Sequence, residues 1–244
     1  MSEPVEIKVT IDTFVDDAVD RLCQGAAETG RLVYFLELRT PDARPALPLL
    51  DAGIVLRLRS NDTDKDDSTV KLRPCVRSQL TDDWQKDFEK PRLKFRIEQD
   101  WAGPRRSLAA SCVAKFAADT VRDVARDHRQ IAEVFTEKQL DFLTACGSIH
   151  VPLARLTLLG PIQATKWEQT SIDDAVAERW TVGDLDFLEL SIRCDDVADA
   201  ESRQSAFEAA LRGYAGGGAP TETKTRLVLE YLSNHRGAIG APVR

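Results

Sequence analysis

The sequence predicts an α+β domain in one unit, and three observations carry that prediction. Short segments alternate apolar with charged residues at the period of a strand, other stretches keep the helical period, and no long low-complexity linker separates them. A length of 244 residues suits a single large domain of this kind. Apolar residues at 43%, aromatics at 7% and charged residues at 30%, with a mean hydropathy of -0.30, supply a core and exclude a wholly disordered chain. The net charge of -7 and an isoelectric point near 5.1 give a long-range field of the wrong sign for nucleic acid or an anionic membrane. A phosphate ligand would therefore have to meet a local basic pocket.

The elements follow in order. Val5 to Ile11 alternates as a half-buried strand, and Asp12-Thr13 opens an amphipathic helix through about Ala27. Leu32 to Leu38 reads as a strand; Thr40-Pro41-Asp42 with Pro45 and Pro48 makes a loop, closed by the turn Asp51-Ala52-Gly53. Ile54 to Arg59 and Thr69 to Arg73 are strands joined by the polar hairpin loop Asn61 to Asp67, and Arg92 to Asp100 repeats the pattern. From Ser107 the Ala-rich texture predicts a helix to about Ala132, then another at Thr136 to Cys146. Strands return at Arg155 to Trp167, Arg179 to Val182 and Phe187 to Arg193, followed by helices at about Ala198 to Arg212 and Thr223 to Ser233. Gly213 to Ala219 reads as a flexible joint, and the tail after Asn234 as frayed.

The five cysteines, Cys23, Cys75, Cys112, Cys146 and Cys194, are scattered and form no C-x-x-C pair, so they are expected to be reduced, mostly buried thiols. Residues Met1 to Glu6 show no basic region followed by an apolar run, and no later segment approaches about 20 apolar residues, so the cytoplasm is the expected location. His128, His150 and the interspersed charges Arg122, Arg126 and Arg129 read as surface or loop residues, and Gly216 to Gly218 lacks the lysine of a P-loop. Trp84, Trp101, Trp167 and Trp180 are scattered, as expected of core or rim residues.

The informative feature is what the strands carry at alternate positions. Glu6 and Lys8 share one face; Arg57 and Arg59 flank Leu58; Lys71 and Arg73 flank Leu72. Lys94, Arg96, Glu98 and Asp100 alternate with Phe95, Ile97 and Gln99, Lys166 and Glu168 flank Trp167, and Glu189, Ser191 and Arg193 share a face. A solvated sheet face is the common reading of such alternation. These faces, however, hold little except Arg, Lys, Glu and Asp, where a solvated face mixes in Thr, Ser and Gln. Arg57, Arg59 and Arg73 also repel one another if aligned on neighbouring strands, a penalty that a bound polyanion removes.

In outline the chain resembles the CYTH superfamily of triphosphate tunnel proteins, which includes thiamine triphosphatases, inorganic triphosphatases and class IV adenylate cyclases. The matching segments, in the family's order, are Val5-Glu6-Ile7-Lys8; Val33-Tyr34-Phe35 with Thr40-Pro41-Asp42; Ala52-Gly53-Ile54-Val55-Leu56-Arg57-Leu58-Arg59; Thr69-Val70-Lys71-Leu72-Arg73-Pro74; and Phe187-Leu188-Glu189-Leu190-Ser191. They span about Val5 to Ile192. The sequence departs from the pattern at Pro4 and Ser191, where the family has acids, and in the extra residues Leu36 to Arg39.

The resemblance implies a closed eight-stranded antiparallel β-barrel with surrounding helices, one domain over residues 1–244, with a helical insertion at about 105–148 and a helical region at about 198–233. It implies a triphosphate-containing small molecule or polyphosphate, gripped by Lys8, Arg57, Arg59, Lys71, Arg73, Arg96 and Lys166. Glu6, Glu98, Asp100 and Glu189 would hold Mg²⁺ or Mn²⁺, and Glu6 and Lys8 would be catalytic. The implied activity is metal-dependent triphosphate hydrolysis in a monomer or homodimer. A non-catalytic or weakly catalytic tunnel that binds polyphosphate or nucleotide is the alternative; adenylate cyclase ranks behind both, because nothing identifies an adenine pocket.

Overall fold

A computed structural model describes residues 3–38, 46–62, 65–214 and 223–235. Ten strands run through it: β1 Val5–Ile11, β2 Glu28–Leu38, β3 Ile54–Asn61, β4 Asp67–Cys75, β5 Phe88–Lys90, β6 Leu93–Ala102, β7 Arg105–Lys115, β8 Leu156–Trp167, β9 Val176–Val182 and β10 Leu185–Cys194. Six α-helices accompany them: α1 Val15–Leu22, α2 Pro48–Asp51, α3 Thr120–Arg126, α4 Glu137–Cys146, α5 Val197–Leu211 and α6 Lys224–Asn234.

Around the sheet the order is β1-β10-β9-β8-β2-β3-β4-β7-β6, and β6 pairs back onto β1, so nine strands form a closed barrel. The short β5 extends β6 as an outlying hairpin. Every neighbouring pair in the ring is antiparallel except β1 and β6, which run parallel with Glu6 beside Asp100. An up-and-down ring closes in antiparallel fashion only with an even number of strands; nine leave one parallel seam. The expected eight antiparallel strands are thus corrected to a mixed barrel of nine.

The ninth strand is β7, where the Ala-rich texture predicts a helix from Ser107. Tertiary packing overrides that propensity. Ala110 and Cys112 are fully buried on the outer face and belong to the same apolar cluster as Phe95 and Phe142. Gln139 on α4 donates from Nε2 to the Cys112 carbonyl at 3.0 Å and to the Ser68 carbonyl at 3.1 Å. Small side chains let the helix sit this close to the sheet, and their abundance is what imitates a helical signal. The helical part of the region is limited to α3, a 3₁₀ segment at His128–Val134, and α4, which Thr136 caps and which lies where the sequence predicts a helix.

Other boundaries shift for local reasons. α1 stops at Leu22, well before Ala27, because the chain turns at Gly25 with φ 74°. Pro48, expected within a loop, starts the short α2, whose Leu49 and Leu50 amides are capped by the buried Glu37 carboxylate at 2.8 and 3.2 Å. The turn before β3 uses Gly53 at φ 74°, where an added Cβ would meet the Pro74 carbonyl at 3.0 Å. The loop Thr40-Pro41-Asp42 with Pro45, most of the Gly213 to Ala219 joint and most of the tail lie outside the described residues, as does the His128 side chain. All five cysteines are free and buried. No described helix is long and apolar enough to cross a membrane.

Of three apolar clusters, the one under α6 includes Phe35, Val55 and Trp180, which line the interior of the barrel; the other two, one under α2, α3 and α4 and one under α1 and α5, cover its outside. Phe95 and Ile97 on β6 and Ile7 on β1 point into these clusters, so their charged neighbours in sequence must point the other way. The charged strand faces are therefore the inside of the barrel, and the solvated-face reading fails.

Candidate functional site

A cavity of about 780 Å³ fills the barrel. Its lining holds fifteen lysines and arginines against eight carboxylates, in a chain whose net charge is -7. The positive field is thus concentrated in the lumen. Every sequence-predicted site residue lines it: Glu6, Lys8, Arg57, Arg59, Lys71, Arg73, Arg96, Glu98, Asp100, Lys166 and Glu189.

Six of them form one network on the wall made by β1, β6 and β4. The parallel seam sets Glu6 beside Asp100, two carboxylates that repel, and Lys8 bridges them at 2.7 and 2.9 Å. Asp100 also accepts from Arg73 at 2.8 Å, while Lys71 reaches Glu98 at 3.2 Å and Asp100 at 3.7 Å. Burial opposes ionisation of Glu6, yet Lys8 and Lys71 outweigh it and hold the carboxyl at about 2. The same contest leaves Asp100 well below the usual carboxylate range, with burial overcome by Lys8, Arg73 and Lys71. Lys8 is correspondingly raised, its burial outweighed by Asp100 and Glu6.

The facing wall, from β2, β3, β9 and β10, is built differently. Glu178 on β9 stands directly opposite Glu189 on β10, and Lys224, the first residue of α6, lies 3.9 and 3.2 Å from them. Arg31 approaches Glu178 at 3.5 Å, and Arg59 holds Asp67 at 3.0 Å. Arg57 makes no ion pair with any described residue; its one side-chain bond is to Thr69 Oγ1 at 3.5 Å. Burial, reinforced by Arg59, pushes its pKa down to about 10, so the guanidinium stays cationic at neutral pH without an adjacent counterion.

Arg96 and Lys166 do not join either network. Arg96 is tied to Glu89 and to the Phe88 carbonyl, and Lys166 to Glu168, beside carboxylates that are mostly exposed. Arg31, Glu178, Trp180 and Lys224 are lumen residues that the sequence reading missed. The strand faces had the signal for the first three, since Arg31 and Glu178 lie one residue before the predicted strand starts and Trp180 shares a face with Glu178. Lys224 belongs to a helix, where alternation is silent.

Among the described residues no three carboxylate, histidine or cysteine side chains converge as a ready metal cage. Glu6, Glu98, Asp100 and Glu189 are each engaged by a lysine or arginine. Such a set fits a divalent cation that brings phosphate oxygens as its other ligands, the usual manner of Mg²⁺, rather than one held by protein alone.

No family model and no curated protein matches the chain in sequence. Solved structures do match in fold. A protein from Hippeastrum, described as an adenylyl cyclase candidate with a dominant triphosphatase activity, is 12% identical and superposes at a TM-score of 0.55 over 93% of this chain and 94% of that one. An adenylate cyclase candidate from Bacillus halodurans, also 12% identical, gives 0.56 over 93% and 98%. The chain therefore shares the closed-barrel fold of these CYTH-type structures.

Proposed function

We propose that the lumen binds a triphosphate-containing small molecule or polyphosphate and hydrolyses it with Mg²⁺ or Mn²⁺. The single observation that carries this reading is the set of ten lysines and arginines, none of them exposed, that share the lumen with five unexposed carboxylates. Cations buried at that density favour an anion with several charges in a row. Arg57, Arg59 and Arg73 offer forked donors to phosphate oxygens, and Lys8 and Lys71 offer point charges. The Hippeastrum protein's triphosphatase activity supports the same class of reaction.

Glu98, Asp100, Glu6 and Glu189 would hold the divalent cation against the phosphate chain. Bound there, it would supply neutralisation of charge on the transferred phosphoryl group and activation of the attacking water. The protein's own part is to align the chain, to shield it from bulk water, and to release Lys8 and Lys71 from their carboxylates onto phosphate oxygens as the ligand enters. Glu6, freed in this way, would orient the water.

A second reading, binding without turnover, has its own support: Pro4 and Ser191 replace acids of the family pattern, and the remaining carboxylates are engaged by cations. One assay separates the two. Phosphate release from tripolyphosphate is measured with Mg²⁺, with Mn²⁺ and with EDTA, on the wild type, Lys71→Ala and Glu189→Ala. Metal-dependent release, lost with binding in Lys71→Ala and lost with binding retained in Glu189→Ala, is expected. Tight binding with no release under any metal leaves the second reading.

A further inference from the structure

We propose that Cys75 and Cys146 are a redox pair: a small-molecule disulfide oxidises them to an internal disulfide that clips the end of β4 to the end of α4. Nothing in this depends on what the lumen binds. Cys75 is the last residue of β4 and Cys146 the last of α4, and two tethers hold these ends together. On one side the Gln79 amide spans them. Its Nε2 donates to the Cys146 carbonyl at 2.6 Å, and its Oε1 accepts from the Val76 amide at 3.3 Å. On the other side Ser148 Oγ donates to the Ala52 carbonyl at 2.8 Å, while the carbonyl of the adjoining Gly53 accepts from the Arg73 amide at 2.7 Å. Gly53 also packs so closely on Pro74 that an added Cβ would meet its carbonyl at 3.0 Å. Each tether thus begins within two residues of one cysteine and ends within two of the other.

Both side chains are buried in one apolar cluster, at 6% and 1% exposed. Burial pushes the Cys75 thiol up to about 11, and the neighbouring Cys146 sulfur adds to the rise, as two thiols within reach of each other do. The other cysteines lack such a partner. Cys112 shares the cluster, but beyond burial it is the Lys138 charge that bears on its thiol, not another sulfur. Cys23 and Cys194 lie in the separate cluster under α1 and α5. Solvent reaches the rim of the pair, since Val76 and Ile149 are 61% and 37% exposed.

The chemistry is thiol–disulfide exchange in two steps. The Cys75 thiolate attacks the small disulfide, forms a mixed disulfide and releases one small thiolate; the Cys146 thiolate then attacks the Cys75 sulfur and releases the second. Two protons leave the cysteines and appear on the two released thiols, and two electrons pass to the small disulfide. The raised Cys75 value keeps the exchange slow at neutral pH, and the rate rises with pH as thiolate forms. Once closed, the link ties off a long loop holding β5, β6, β7 and α3, which restricts the unfolded chain and stabilises the fold.

The test incubates the folded protein with oxidised glutathione at about pH 8.5, alkylates the remaining thiols in denaturant and maps the peptides. Two of the five thiols should become unavailable to alkylation, with Cys75 linked to Cys146, and dithiothreitol should restore both. The oxidised protein should melt about 5–10 °C higher than the reduced one. Cys75→Ala and Cys146→Ala should each abolish the link and the shift; the wild-type map decides the matter if either variant does not fold. The pair is overturned by five alkylated thiols after prolonged oxidation, by a glutathione adduct that never resolves onto Cys146, by a link between other cysteines, or by an oxidised form that melts no higher.

Discussion

The two walls of the lumen solve the same electrostatic problem in unlike ways. Each contains two carboxylates set side by side by strand pairing, Glu6 with Asp100 and Glu178 with Glu189, and each pair is clamped by one lysine. On the first wall the clamp, Lys8, comes from the same strand as Glu6, and the further cations Lys71 and Arg73 are answered by Glu98 and Asp100. On the second the clamp, Lys224, is delivered by a helix from far along the chain, and Arg57 is left unanswered. The first wall is a closed ionic network; the second is a network with a cation to spare. A lumen built from both is stable without a ligand, yet keeps one face ready for an anion.

The largest expected effect breaks the closed network. Lys8→Met leaves two buried carboxylates without their shared ammonium and should cost about 3–5 kcal/mol in denaturant unfolding, the range for one partner removed from a buried pair. Lys224→Met should cost less, because Arg31, Arg57 and Arg59 still favour the Glu178 carboxylate. Equal losses would show that the two walls are not different in kind.

Arg57→Met moves in the opposite direction. Removing a buried cation that holds no ion pair with a described residue should stabilise the ligand-free protein by roughly 1–3 kcal/mol while weakening tripolyphosphate binding. A destabilised variant would mean that Arg57 has a structural partner after all.

The acid limb of stability sharpens the contrast further. Glu6, held at about 2, and Asp100, held well below its usual value, are both depressed on folding. Such groups contribute stability that is fully present above the ordinary carboxylate range and is lost as pH falls through their folded values. Unfolding should therefore begin below about pH 4 and deepen towards pH 2, and Lys8→Met should begin to unfold at higher pH than the wild type. The smallest effect belongs to the exposed pair Lys166 and Glu168: Glu168→Gln should change stability by less than about 1 kcal/mol.

The first wall was legible in the sequence, and the second only half so, for reasons that lie in the strands. Glu6, Lys8, Lys71, Arg73, Glu98 and Asp100 sit in the interior of strongly alternating runs, where a strand's period of two fixes the face. Arg31 and Glu178 lie one residue outside the runs that alternation marks, although β2 and β9 themselves begin earlier, at Glu28 and Val176. Lys224 could not be read at all, because its place in the lumen depends on how α6 docks over Trp180, a tertiary fact. The same holds for β7: its alanines and Cys112 are small because α4 lies against them, and composition alone makes such a strand look helical. Eight of the nine barrel strands were nevertheless visible, and the missed one accounts for the parallel seam that places Glu6 beside Asp100.

The central claim is that a phosphate chain is held inside the barrel by these cations. Calorimetric titration of tripolyphosphate into the wild type and into the double variant Arg57→Met with Lys71→Met, at low and high salt, tests it most directly. Saturable binding to the wild type, weakened about a hundredfold or more in the double variant and reduced by salt, is predicted. An affinity unchanged by removing both cations would place the ligand outside the lumen and contradict the account.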